Sequence, residues 1–418
     1  MSKGLQVRID GVIVGSLWLD DKKRFCFQYD DGWLATSRIQ LSLSLPLRRE
    51  PYLDDESHPF FANLLPEEKM RAVIARNLGV SQNNDYGLLE KIGGDCAGAV
   101  SLYPATDESQ REPGIYRQLS LDELNAIIGE LPKRPLLAGE KGIRLSLAGA
   151  QKKLPVYYDG EHFSLGLGDA PSNYIIKPPI EDLDGTVENE AFCMALAQAV
   201  GLDVPHSFIH QHGDAPGVFV VKRYDRIATA EGIGISRLHQ EDFCQALGIP
   251  PEFKYETEGG PSLAACFNLV RHASTRSGKD VLSLLNWVIF NYLIGNSDAH
   301  GKNISLLLMP EGPVLAPFYD LISTRIYAHY GLASGFAMKI GGTSDPDSLQ
   351  KKHWEQFAEE VGIKPRLVLN RIADLSKKIE DSRLQLFKGA FTPYNSDALY
   401  RLMGFMGEQT EKTLRRIA

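Results

Sequence analysis

Asp298 and Asn303 stand five residues apart in the run Gly295-Asn296-Ser297-Asp298-Ala299-His300-Gly301-Lys302-Asn303. A short apolar stretch follows, Ile304 to Leu308, then a Pro/Gly turn, then a second stretch ending in Ala316-Pro317-Phe318-Tyr319-Asp320. The order reads as an acid-bearing loop, a β-hairpin, and a second acid at the hairpin's exit. Phosphoryl transfer calls for these types in this order. One carboxylate orients the attacking hydroxyl and accepts its proton, while an amide and a second carboxylate offer hard oxygen ligands to magnesium. Protein kinases use the same spacing. An Asp and an Asn alone would make an ordinary polar turn; the hairpin and Asp320 turn the reading toward catalysis. Ser297, Asp298 and His300 also hold the residue types of a serine hydrolase, but no G-x-S-x-G elbow surrounds Ser297.

Other elements must bring the phosphate donor to these acids. Lys177 ends the β-branched strand Tyr174-Ile175-Ile176-Lys177 and can ground nucleotide phosphates as a point charge; the plain alternative is a solvated strand-edge lysine. A helix begins at Thr186, which can cap it, and Gly201 can end it. Glu190 in its first turn is the expected partner of Lys177, as a strand lysine pairs with a helix glutamate in kinases. Dipole complementarity alone would also account for a glutamate there. Ser146-Leu147-Ala148-Gly149-Ala150-Gln151-Lys152-Lys153 precedes a strand, with small residues that let backbone amides approach phosphates and lysines that add charge.

The run Val221 to Arg226 closes the last strand before a helical half, where a two-lobed kinase has its adenine hinge. Backbone groups of Lys222 and Tyr224 would meet adenine and Asp225 the ribose. Asp280 to Ile294 is apolar all round, a buried support for the acid loop. Gly93 to Ala99 reads as a tight turn with close backbone packing. His210 and His212 share a strand face near His206, but no acid or cysteine stands at metal-site spacing, so they read as structural.

The composition places these pieces in an ordinary soluble chain. Its 418 residues suffice for two or three domains, with 43% hydrophobic and 23% charged residues and a formal charge of −8. That acidity argues against a broadly basic nucleic-acid surface. Five scattered cysteines without a C-x-x-C pair suit a reducing compartment. The start Met1-Ser2-Lys3-Gly4 runs straight into alternating residues with no visible signal peptide. Residues 1–105 read as a β-rich subdomain with a few helices near Pro66 to Leu78 and Tyr86 to Ile92. A polar linker is expected over 106–114. A mixed lobe over 116–230 has strands at Lys153–Tyr158, Tyr174–Lys177, Ser207–His210 and Val218–Val221. From 231 to 418 helices dominate, apart from the hairpin after Asn303.

Taken together, the segments resemble the HipA kinases, bacterial serine/threonine-kinase toxins of toxin–antitoxin modules. The resemblance is carried by Phe60 to Glu67, Ile92 to Val100, Ser146 to Lys153, Ile175-Ile176-Lys177, Asn189-Glu190 and Arg223-Tyr224-Asp225-Arg226. It continues through Arg237 to Asp242, Lys254-Tyr255-Glu256, Asp298 to Asn303 and Phe318-Tyr319-Asp320. It implies an α+β, two-lobed protein-kinase-like fold with an N-terminal β-rich subdomain and an all-α C-terminal lobe. It further implies ATP and magnesium between the lobes, with Asp298 as catalytic base and Asn303 and Asp320 on the metal. Ala148, Gly149, Ala150, Gln151, Lys152 and Lys153 would form the phosphate loop. Lys177, Lys222, Arg223, Tyr224, Asp225, His300, Lys302 and Asn303 would surround the nucleotide, and Ser146 matches an autophosphorylated serine. The implied setting is the cytoplasm, the implied substrate a translation component such as an aminoacyl-tRNA synthetase. The implied partner is a HipB-like helix-turn-helix antitoxin that carries the DNA contact. Tyr224 departs from the Phe expected there. An aminoglycoside- or choline-type small-molecule kinase would share the acid spacing but would not account for SLAGAQKK or the N-terminal subdomain. The intact Asp298, Asn303, Asp320 and Lys177 set argues against a non-catalytic co-repressor.

Overall fold

The computed structural model describes residues 4–37, 39–105, 113–229, 234–332 and 334–418, so most of the expected 106–114 linker lies outside the described residues. Strands β1 (Leu5–Ile9) and β2 (Val12–Leu19) form a hairpin around Asp10-Gly11. Both turn residues have positive φ, +46 and +84, the geometry that matches the twist of a two-residue hairpin. β3 (Phe25–Tyr29) follows, then helices α1 (Asp31–Thr36), α2 (Asp54–Ala62), α3 (Glu68–Leu78) and α4 (Asp85–Ile92). β4 (Val100–Pro104) returns to β1 and completes a sheet of order β3-β2-β1-β4. The subdomain expected to be β-rich therefore carries as many helices as strands.

The second lobe is built on β5 (Ile115–Gln118), α5 (Leu121–Glu130), β6 (Leu154–Tyr158), β7 (Phe163–Leu167) and β8 (Tyr174–Lys177). α6 (Thr186–Ala199), β9 (Ser207–His210) and β10 (Val218–Lys222) complete it, and the sheet runs β5-β7-β6-β8-β10-β9. Its centre is buried on both faces, which explains the unbroken apolar run in β10. Val218 and Val220 pack with Leu154, Ile176 and the N-terminal subdomain. Phe219 and Val221, on the other face by the two-residue period, pack with α6 and the helical lobe. Thr186 was expected to cap α6, but Gly185 takes that position at φ +65. The Thr186 hydroxyl accepts instead from the Ile180 N–H, 3.0 Å away, because the left-handed turn at Gly185 starts the helix one residue earlier.

After the two-stranded ribbon β11 (Arg226–Ala228) and β12 (Ile235–Arg237) come β13 (Gln240–Asp242), α7 (Phe243–Ala246), α8 (Leu263–Ala273) and α9 (Ser277–Ile294). The hairpin β14 (Ser305–Met309) and β15 (Gly312–Leu315) precedes α10 (Lys351–Glu360), α11 (Pro365–Lys388) and α12 (Asp397–Ile417). The lobe expected to be all-α holds a small sheet, because β13 pairs with β14 at Gln240↔Leu307 and Asp242↔Ser305. Three residues are too few to show a strand period, so β13 carries no local signal. α9 is the buried column of this lobe. It stops at Gly295, where the φ is +74 and an added Cβ would run into the Phe405 ring, so there is no place for a side chain. Among the described residues no helix is long and apolar enough to cross a membrane, and all five cysteines are buried and unpaired.

Candidate active site

A cleft of ≈ 1220 Å³ lies between the lobes, and the residues singled out by spacing line it from both sides. Lys177, at the end of β8, is buried and points its Nζ at Glu190 Oε1 of α6, 2.6 Å away. The same Nζ also contacts Asp320 Oδ1. Burial disfavours the lysine's charge, but the two carboxylates override it and hold the amine above its usual range. Asp320 is pulled below the carboxylate range by Lys177 and Lys153 against its own burial, while burial pushes Glu190 up. One lysine thus joins a strand, a helix and the acid after the hairpin. Asp320 has φ +54, a left-handed conformation that Asp tolerates better than most residues. Its backbone is braced on both sides: Asn296 Nδ2 donates to the Asp320 carbonyl at 3.3 Å, and Asn189 on α6 makes a two-way bond with the Ser323 backbone, 2.9 and 3.0 Å.

The acid loop hangs from the end of α9. Asn296 bonds Asn291 of that helix at 2.8 Å and accepts from the Asp298 N–H at 3.0 Å. Asn303 Nδ2 donates to the Asp298 carbonyl at 2.9 Å, which leaves the amide oxygen of Asn303 for another partner. The Asp298 carboxylate accepts from the Tyr255 hydroxyl at 2.6 Å, and His300 Nε2 lies 3.8 Å from it. Ser297, considered as a hydrolase residue, donates its hydroxyl to the Ser334 carbonyl at 2.8 Å. Asp320 and Asn303 together offer one carboxylate and one amide oxygen. No group of three or more His, Cys, Asp or Glu able to hold a metal occurs among the described residues. This donor set fits magnesium brought in on phosphate oxygens and water, the usual mode for that ion, rather than a metal caged by protein.

The segment Ser146–Lys153 forms a turn across the cleft from these acids. Lys153 Nζ folds back onto the Ala148 carbonyl, 2.6 Å, and burial lowers its pKa to about 8. Gly149 has φ +103, and a Cβ there would meet Lys153 Nζ at 2.8 Å, so the turn needs glycine. Lys152 is turned outward to Glu181 at 2.6 Å. Ser146 is fully buried and donates to the Leu64 carbonyl at 2.7 Å.

Four residues expected at the nucleotide line the cleft and have partners within the protein. The Asp225 carboxylate is held by Arg223, Arg226 and the Gly98 N–H, at 2.9, 2.9 and 2.7 Å, so it lies within a buried ion cluster on the wall of the cleft. Arg223 belongs to the same cluster, which includes Asp95 and Ser172. The Lys222 N–H goes to the His206 carbonyl at 2.9 Å, because β10 continues one residue further than expected. Lys302 Nζ is taken by Asn63 Oδ1 at 2.6 Å and Glu67 Oε1 at 3.1 Å. Tyr224 stacks on Tyr319 with ring centroids 5.7 Å apart and hydrogen-bonds Gln240. Sequence reasoning missed Asn63, Glu67, Asn296 and Tyr255 as parts of this site. All four lay within segments already noted, but only the tertiary fold brings Asn63 and Glu67 to Lys302.

Comparison with known proteins agrees with this architecture. Residues 5–103 match the HipA N-terminal domain and residues 145–383 the HipA-like C-terminal domain. The chain is 47% identical over 377 residues to the protein Y4mE of Sinorhizobium fredii, covering 89% of each. It is 30% identical over 389 residues to the serine/threonine-protein kinase toxin HipA of Shewanella oneidensis, covering 90% of this chain and 87% of that one. A solved complex of Shewanella oneidensis HipA, HipB and its operator DNA contains a chain that superposes with a TM-score of 0.86 at 27% identity. That match covers 99% of this chain and 98% of the other.

Proposed function

The chain belongs to the HipA family of serine/threonine protein kinases, and from that premise we propose that it moves the γ-phosphoryl group of magnesium-bound ATP to a serine or threonine hydroxyl, as the toxin of a toxin–antitoxin module. The observation that carries the reading is Lys177, buried between Glu190 and Asp320, with Asp298 and Asn303 on the adjoining loop of the same cleft. Magnesium would be held by the free oxygens of Asn303 and Asp320, and its charge would offset that on the transferred group. Asp298 orients the acceptor hydroxyl and accepts its proton. Lys177 holds the donor's phosphates, and Glu190 keeps the lysine in place when Asp320 turns to the metal. The turn from Ala148 to Lys153 supplies amides and charge to the phosphates.

The finer reading is that the acceptor is a component of translation, such as an aminoacyl-tRNA synthetase, and that Ser146 is an autophosphorylation site. Ser146 must leave its buried bond to Leu64 before any kinase can reach it. That supports transfer between two molecules, with the loop displaced. The Shewanella relative's complex with HipB and operator DNA supports a HipB-like antitoxin partner here; DNA contact through that partner and a cytoplasmic setting are part of the same proposal. Domain limits of 1–105, 116–230 and 231–418 belong to the same proposal. Phosphoproteomics after induction of the wild type and of Asp298→Ala tests it. Phosphosites on a translation protein that appear only with the wild type support the reading; identical phosphoproteomes count against it.

A further inference from the structure

The short segment Lys254-Tyr255-Glu256 touches three parts of the molecule at once. Lys254 Nζ is 2.9 Å from Glu67 Oε2 and 3.5 Å from Glu68 Oε1, both in the N-terminal subdomain. The Tyr255 hydroxyl donates to Asp298 Oδ1 at 2.6 Å, and its ring meets His300 edge-on with centroids 5.4 Å apart. The Glu256 carboxylate accepts from the Lys339 N–H at 2.6 Å, and the Glu256 N–H donates to the Ala337 carbonyl at 2.9 Å. Ala337 in turn donates to the Ser297 carbonyl at 3.1 Å, beside Asp298.

A carboxylate that must face an acceptor hydroxyl needs more than a fixed backbone. Its terminal torsion is broad and nearly two-fold, so the oxygens swing unless something holds one of them. Tyr255 holds Oδ1, and among the described residues no hydrogen bond reaches Oδ2. Tyr255 is itself held through its neighbour. Glu67 is partly buried, yet Lys302 and Lys254 bring its pKa down to about 2, so the charge that anchors Lys254 is a firm one. We infer that Tyr255 is a positioning residue for Asp298, presenting Oδ2 to the acceptor hydroxyl, and that the N-terminal subdomain sets Tyr255 through Glu67 and Lys254. This rests on the kinase reading above, with Asp298 as the base. It gives the N-terminal subdomain a part in phosphoryl transfer that the spacing of the acids did not suggest.

The test uses the full-length chain with magnesium, radiolabelled ATP and dephosphorylated casein as acceptor, with label also followed on the kinase itself and as free phosphate. Tyr255→Phe removes one hydroxyl and keeps the ring. A hydrogen bond to a charged group that aims a reacting atom corresponds to about a tenfold effect. The expected result is kcat lower by about that factor, with KM for ATP and the melting temperature unchanged. Glu67→Gln should lower kcat by a smaller factor, and the double variant should be no slower than Tyr255→Phe alone, because both act through one contact. A crystal structure of Tyr255→Phe should show the Asp298 carboxylate rotated or in two rotamers. A kcat at or above wild type, or an unmoved Asp298 carboxylate, overturns the positioning role. Fully additive losses overturn the link to the N-terminal subdomain. A separate outcome sinks the kinase reading and the inference with it: a wild type that transfers phosphate to no acceptor, or Asp298→Asn as active as the wild type.

Discussion

At the scale of single residues, Asp298 and Asp320 are both carboxylates in one cleft, but their surroundings prepare them for different work. Asp298 is half-exposed and is held by a phenol. Asp320 is in contact with Lys177 and has a left-handed backbone, so its carboxylate sits where a chain with only negative φ would not put it. Asp298→Asn keeps the shape and the amide-braced backbone, so nucleotide binding should survive. Loss of the proton acceptor should lower transfer by several orders of magnitude, roughly 10³-fold or more. Isothermal titration with ATP and a radiolabel assay check the two halves; near-wild-type labelling would remove Asp298 from the chemistry. Asp320→Ala should act differently. It removes the proposed metal ligand and one of the two partners of Lys177, so binding of magnesium-ATP should weaken by about tenfold or more. Binding of ATP without magnesium should change much less, and equal losses with and without the metal would contradict a role as ligand.

At the scale of elements, the sequence was legible wherever a signal was local. The Asp-to-Asn interval, the hairpin and the strand Tyr174–Lys177 are all short-range patterns, and each lies where its pattern indicated. The apolar run before the acid loop is likewise a buried helix, α9. What escaped depends on distant segments meeting. Arg223 and Asp225 follow a strand, and nothing local shows that Asp95, more than a hundred residues away, pairs with Arg223 at 3.3 Å and joins the ion cluster that holds Asp225. β13 was invisible for want of length, and Glu67 meets Lys302 only because α2 of the N-terminal subdomain packs against α7, which in turn packs against the acid loop. The end of α9 shows how strongly a local element can be constrained. Gly295→Ala would force a side chain into a left-handed turn, at about 1 kcal/mol, and into the Phe405 ring 2.4 Å away. The expected loss is more than about 2 kcal/mol in denaturant unfolding. Because Asn296 and Asp298 follow directly, kcat should fall more than KM changes. A fully stable Gly295→Ala chain would show that α9 can end in another way.

At the scale of the whole molecule, the N-terminal subdomain is fastened to the helical lobe by the Glu67 ion pairs and by a second, buried seam. Residues 41–44 lie along β13. His239 Nε2 bonds the Leu41 carbonyl at 2.7 Å, and Glu241 accepts from the Leu43 N–H at 2.9 Å and from the Ser42 hydroxyl. Both side chains are buried. Burial pulls His239 down to about 4, and burial together with the nearby Asp242 raises Glu241 to about 8, while Ser42 and Leu43 only partly oppose that rise. Tyr29 is the other titratable group that feels the Glu241 charge. The signs of the two linkages differ. His239 has a depressed folded pKa, so its contribution is complete above about pH 6.5 and is lost as pH falls toward 4. Glu241 has a raised folded pKa, so its contribution is complete below about pH 4.5 and is lost as pH rises toward 8. Between about pH 4.5 and 6.5 the two oppose each other, and from 6.5 to 8 only Glu241 acts. Stability should therefore decline across that upper window, by up to about 1.4 kcal/mol per pH unit for the single proton involved. Glu241→Gln keeps a group that can accept from Ser42 and Leu43 but cannot ionise. The difference between wild type and variant, measured by urea unfolding at several pH values, should move in the variant's favour as pH rises from 6.5 to 8. A difference that stays constant over that range would mean that Glu241 does not hold its proton in the folded chain.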